Sequence, residues 1–270
     1  MDQNLRSYLF VRNVYAYLTM LMSAIYALSL AYFTYRFIVA VIDIPYVGLI
    51  TLAPLVIFAW ELVKALNGYY SEQQTFEEDY LLANTQLARV HGLTNPILNK
   101  CNLNVPIKFT HTSPGEDTGA IDLHFSAHIQ LDDEMLERPD VELQAILAHE
   151  IVHIVSRDSL KSCYLNIVKI LVVFYSAIAL PFLLLVLPQI PWYFLILSSI
   201  LIIRFFTSWT EKVVEITADT AATMMGYGNG LKGFFFNYHH KQKFLVWLLD
   251  HHETLPKRAK RVSRIMNRLN

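Results

Sequence analysis

Three stretches of this chain carry no charged residue: Val14 to Tyr35, Ile44 to Trp60 and Leu171 to Ile203. Uncharged runs of this length read as membrane spans, and they constrain everything else the chain can fold into. The composition agrees, because 54% hydrophobic against 17% charged residues is apolar for a soluble protein. The first run is too long and too aromatic for a cleaved signal, and no small-residue cleavage site follows it.

The runs resolve into two hairpins. Asn13 to Ile42 and Ile44 to Leu66 form the first, with Asp43 and Pro45 in the tight turn between them. Arg36 lies near the far end of its span, where its long stem can snorkel to the interface. The second apolar block runs from Ser162 to Ser208. Its uncharged part alone would measure about 50 Å as one helix, too long for one crossing of a roughly 30 Å core. Pro188 and Pro191 break it near the middle, so it reads as two crossings joined at Pro188-Gln-Ile-Pro191. The expected fold is a mainly α membrane protein with four transmembrane helices, and its domains are 1–66, 67–161, 162–208 and 209–270. Residues 67–161 and 209–270 assemble one polar domain.

Charge placement orients the chain. Arg6, Arg12, Lys64, Lys161 and Lys212 fall on one side with Lys257, Arg258, Lys260, Arg261, Arg264 and Arg268 of the C-terminal segment. The turns near Asp43 and Gln189 carry neither Lys nor Arg. The positive-inside rule then puts both termini and the polar domain in the cytoplasm of a multi-pass protein. Short external turns and modest size suit a bacterial inner membrane. The basic segment marks the cytoplasmic side, the spans make the lipid bilayer a partner, and nucleic acid is not expected.

Within the polar domain, helical spacing from Glu72 to Leu98 is broken by Gly92 and Pro96. Val105 to Thr110 reads as a short strand and His111 to Thr118 as a loop. From Ile121 to Leu131 apolar and polar residues alternate, which predicts one half-buried strand. His124 and His128 fall on its polar face, about 13 Å apart at strand rise and too distant to share an ion. His91, His111, His239 and His240 have no ligand spacing. Cys101 and Cys163 read as reduced thiols packed as small apolar groups. Pro139 and Asp140 open the next helix.

That helix carries His149-Glu150-x-x-His153. Residues four apart share a helix face, so both imidazoles can reach a single metal ion, with Glu150 placed as general base. A catalytic zinc takes three protein ligands, and Glu215 is the best third candidate. Asp219 lies four residues on, on the same face, as a carboxylate able to orient a ligating histidine. His153 and Glu215 flank the second apolar block. They can share an ion only if that block crosses the membrane an even number of times, and the proline break supplies two crossings.

His149-Glu-Ile-Val-His153 followed by Glu215-x-x-x-Asp219 across an apolar hairpin resembles the membrane zinc metallopeptidases that include the HtpX heat-shock proteases and the CAAX prenyl endopeptidases. Arg157-Asp158 also fits, as does His252 six residues before Arg258, although Glu253 stands where the family has proline. The resemblance covers about 85 to 258, and the four-span layout is closer to the HtpX type. It implies a gluzincin-type α+β zinc peptidase domain with a small sheet and one Zn2+ per chain. Carried over, His149, His153 and Glu215 are ligands, Glu150 is the base, and Asp219 orients a ligand. His252 stabilises the oxyanion, with Arg258 in support. Gly119 to His128 departs from the family pattern, which leaves the substrate subsites open.

The function this implies is an integral-membrane zinc endopeptidase acting on membrane-associated or misfolded proteins and peptides. A regulatory sensor or antirepressor-type peptidase is the alternative, but the external turns are too short for a sensor domain. A non-catalytic scaffold would be expected to have lost Glu150 or a ligand, and neither is lost.

Overall fold

Helices dominate the described residues, which are 3–42, 56, 60, 82–111, 118–123, 126–186, 192–237 and 254–269 of the computed structural model. In chain order the elements are α1 (Gln3–Ile42), α2 (Asn84–Cys101), β1 (Ile107–His111), β2 (Gly119–Leu123) and β3 (Ser126–Leu131). The single turn α3 (Asp133–Leu136), α4 (Asp140–Ser156), α5 (Asp158–Val186), α6 (Trp192–Ala222), α7 (Gly228–Asn237) and α8 (Leu255–Leu269) follow. The chain divides into two compact units. One comprises Met1–Tyr15, Ser71–Leu160 and Glu211–Asn270, and the other Ala16–Tyr70 and Lys161–Thr210.

α4 is the centre of the first unit. Leu143, Ala145 to Val152 and Ile154 are all buried, so the helix is covered on nearly every side. Leu5 and Leu9 of α1, Val90 and Ile97 of α2, Ile129 and Leu131 of β3 and Leu231 of α7 belong to the same core. The start of α4 is anchored by Arg89 of α2, whose Nε donates to Asp140 at 2.7 Å and whose guanidinium donates to the Arg138 carbonyl at 2.6 Å. Its end is set by Arg157 in the left-handed region (φ 58°), a conformation that a non-glycine residue adopts at some cost.

α2 differs from the sequence expectation, because it runs straight through Gly92 and Pro96. Val90, Thr94, Ile97 and Cys101 form one buried stripe at helical spacing, and that burial outweighs the hydrogen bond Pro96 cannot make. The expected Ile121–Leu131 strand is also corrected. It is a hairpin in which β2 pairs antiparallel to β3, with Leu123 opposite Ser126 and Ile121 opposite His128. Opposite residues share a face, so the alternation changes phase across the turn, and even-numbered His128 joins odd-numbered Ile121. β1 runs parallel to β3 on its other side, giving the order β1-β3-β2. Central β3 is covered on both faces, with Ala127, His128 and Ile129 all buried. His128 is therefore not a polar-face residue; its Nε2 lies 2.6 Å from Thr110 Oγ1. His124 lies outside the described residues.

α7 crosses α4 at close range through glycine. A Cβ on Gly230 would stand 2.1 Å from the Val141 carbonyl oxygen and 2.7 Å from Ala145 Cβ. Gly230→Ala is expected to cost about 1–3 kcal/mol or more by forcing the helices apart, read as a lowered unfolding temperature. Gly92→Ala is the matched control, since its Cβ would meet nothing within 4 Å, and it should be neutral or stabilising. Between α6 and α7, Gly226 takes φ 95° and lets the chain kink. Lys100 pins the kink, donating to the Met225 carbonyl at 2.6 Å with its ammonium 4.4 Å from the Tyr227 ring centre.

In the second unit, Ala27 and Ala31 of α1 pack with Val168, Leu171, Val172 and Tyr175 of α5. Tyr164 donates to the Met20 carbonyl at 3.0 Å. Among the described residues one helix, Gln3–Arg36, is long and apolar enough to cross a membrane by length and composition. Arg36 is exposed at its far end. Most of the expected second span, and the turns at Asp43 and Pro188–Pro191, lie outside the described residues. α5 and α6 are the helices on either side of the latter turn.

Candidate metal centre

α4 and α6 bring the motif residues to one point. His149 Nε2 and His153 Nε2 are 3.0 Å apart, as one helical turn dictates. Glu215 of α6 reaches both, with one oxygen 3.5 Å from His149 Nε2 and the other 3.7 Å from His153 Nε2. Ligand atoms from His149, His153 and Glu215 all lie within 4.8 Å of one another.

The opposite nitrogens are occupied by acids. Asp158 Oδ2 lies 2.8 Å from His153 Nδ1 in a hydrogen bond. Asp219 Oδ1 lies 3.0 Å from His149 Nδ1 but off the line of the ring N–H, so the contact is an ion pair. With both Nδ1 atoms facing carboxylates, both Nε2 lone pairs turn toward Glu215. Two imidazole nitrogens and one carboxylate form the donor set of a catalytic zinc site with an open position. The residues fit the ion.

Two arginines of α8 close the far side. Arg258 donates two hydrogen bonds to Asp219, at 2.9 and 2.7 Å, and lies 3.0 Å from Glu215. Arg261 donates to Asp219 Oδ2 at 2.6 Å, the oxygen that also accepts from Arg258 Nε. Asp219 has no solvent exposure. Burial alone would raise its pKa, but the Arg258 guanidinium and His149 hold it well below the usual carboxylate range. Glu215 is likewise held low against burial by His149, Arg258 and His153. His149 is pushed up to about 10, because Asp219 and Glu215 overcome the burial that would lower it. Glu150 is buried, and that burial raises its pKa against the pull of His149 and His153.

Asp158 and Arg261 were not assigned roles from sequence. Asp158 returns to His153 because Arg157 takes the left-handed turn, which the residue type does not announce. Arg261 sits one turn after Arg258, so its spacing was visible. His252 lies outside the described residues. Cys101 is buried, its thiol pushed up to about 11 by that burial, and its Sγ is 3.4 Å from Met225 Sδ, a packed and inert thiol.

A helix bearing two histidines and a glutamate, met by a glutamate from a distant helix, defines a metallopeptidase centre on a mainly helical unit with a small sheet. The chain belongs to peptidase family M48, whose sequence model matches residues 121–269. That span runs from β2 through α8 and contains every residue of the centre. No curated protein and no solved structure matches the chain.

Asp158→Asn is expected to weaken zinc binding by about 10- to 100-fold while leaving the fold intact. Competition with a fluorescent zinc chelator measures it directly. An unchanged affinity would mean that the 2.8 Å contact does not orient His153.

Proposed function

We propose that the chain is an integral-membrane zinc endopeptidase of the HtpX type, with its centre on the cytoplasmic side, that cleaves membrane-associated or misfolded proteins. The observation that carries the hydrolytic reading is the convergence of His149, His153 and Glu215 with Glu150 buried on the same helix turn. His149, His153 and Glu215 hold the ion, which when bound polarises a carbonyl and acidifies water. Glu150 takes the proton released as water attacks the scissile carbonyl and delivers it to the departing amine. Asp219 and Asp158 hold the two imidazoles, and Arg258 and Arg261 hold Asp219. His252 is assigned to the developing oxyanion, as the family resemblance implies.

β2 is an edge strand that packs against α4. Among the described residues no strand pairs with its outer edge, and that edge suits an extended peptide adding as a further strand, which favours unfolded segments as substrates. Membrane residence is supported by the Gln3–Arg36 helix, which leaves Leu18, Leu21, Ile25, Leu28 and Phe33 about half or more exposed. Multi-pass topology and the cytoplasmic orientation rest on the proline-broken second apolar block and on the placement of Lys and Arg. The test is cleavage of an unfolded protein by the detergent-purified full chain. Phenanthroline should abolish activity and added zinc restore it; chelator-resistant cleavage would overturn the metallopeptidase reading.

A further inference from the structure

α8 has two faces with different occupations. Its inner face packs Ala259 and Val262 into the core and delivers Arg258 and Arg261 to Asp219. Its outer face presents Lys257, Lys260, Arg264 and Arg268, all exposed. At 100° per residue these four fall within about 80° of arc and about 16 Å of length. Leu255 to Leu269 contains no Asp or Glu. Among the described residues, none of the four makes an ion pair or side-chain hydrogen bond. A helix fixed by two buried guanidinium contacts is no loose tail, so the stripe is presented ready-formed and binding need not order it.

We propose that this stripe is a docking surface for the anionic phosphodiester headgroups of the bilayer in which the chain resides. It rests on the membrane residence proposed above. Two further features favour lipid over nucleic acid. α8 has no aromatic or histidine side chain on which a base could stack, and the whole chain carries a net charge of −1, which offers no long-range attraction for a polyanion. The unit holding α8 also contains the first residues of α1, Leu5 and Leu9 in its core, and α1 continues as the apolar helix. Each cation near an anionic surface contributes about fivefold, so four together strengthen the contact on the order of several hundred-fold.

The test uses the full chain with Asn267→Cys on the exposed face, in a Cys163→Ser background, labelled with an environment-sensitive fluorophore. It is reconstituted in phosphatidylcholine nanodiscs, with or without phosphatidylglycerol. Emission should shift to the blue only with phosphatidylglycerol, and raised salt should reverse the shift. Lys257→Gln, Lys260→Gln, Arg264→Gln and Arg268→Gln combined should abolish it with zinc content unchanged; salt reversal in the parent protein tests the claim even if that variant folds poorly. Equal emission in both bilayers overturns the proposal. So does a response in phosphatidylcholine discs to inorganic phosphate or to an RNA oligonucleotide. Release of the chain from membranes by a carbonate wash would instead sink the membrane reading, a separate result.

Discussion

Glu150→Gln is expected to keep its zinc and to lose peptide hydrolysis by about 10²- to 10⁴-fold, the usual share of a positioned general base. The substitution keeps the shape of a side chain that is 8% exposed beside the two imidazoles, so neither ligand should move. It removes the one carboxylate on that helix turn able to accept a proton. The two readouts separate the roles, because an amide cannot serve as the base whereas the metal holders are untouched. A variant that loses zinc along with activity would make Glu150 a ligand or a structural prop. Full activity would remove it from the chemistry altogether.

Asp219→Ala should have the largest effect on stability, about 3–5 kcal/mol, because it removes the buried carboxylate that pairs with both Arg258 and Arg261. For a folded unit of this size that corresponds to about 10 °C or more in unfolding temperature. Arg258 retains Glu215 at 3.0 Å, whereas the hydrogen bond from Arg261 to Asp219 would be gone. Adding Arg261→Leu should therefore recover part of the loss, and a fully additive double variant would contradict the shared buried contact. The same carboxyl predicts an acid limit. Its folded pKa lies below the ordinary 3.8, so its contribution is present above about pH 3.8 and is lost as pH falls further. His149 acts oppositely in the metal-free protein. Its pKa is raised from 6.5 to about 10, so its contribution is full below pH 6.5 and fades as pH rises toward 10.

How much of this was legible in the residues varies with the range of the interaction. The pairing of His149 with His153 is local and follows from helix geometry. Glu215 required only that the second apolar block return to the side it left. Contacts that depend on a backbone exception were hidden: Asp158 reaches His153 through a left-handed Arg157. The β2–β3 hairpin was hidden for a different reason. A period of two predicts a strand but carries no signal that its phase reverses after Leu123. Pro96 misled because its local cost is real, while the buried stripe that offsets it involves partners far along the chain. Apart from Arg258, which the family resemblance ties to the site, the basic C-terminal segment reads from sequence as a topology marker. Only its docking on Asp219 separates Arg258 and Arg261 from the four cations left facing outward.

Zinc content of the purified full chain, beside that of Glu215→Ala, tests the central claim most directly. The expected result is one zinc per parent chain, removed by chelators, and a Glu215→Ala protein that is folded but largely zinc-free and inactive. Glu215 is the proposed ligand that only the fold brings to the two histidines, with its oxygens 3.5 and 3.7 Å from their Nε2 atoms. A parent protein without zinc, or a Glu215→Ala protein that retains it with undiminished affinity, would contradict the account.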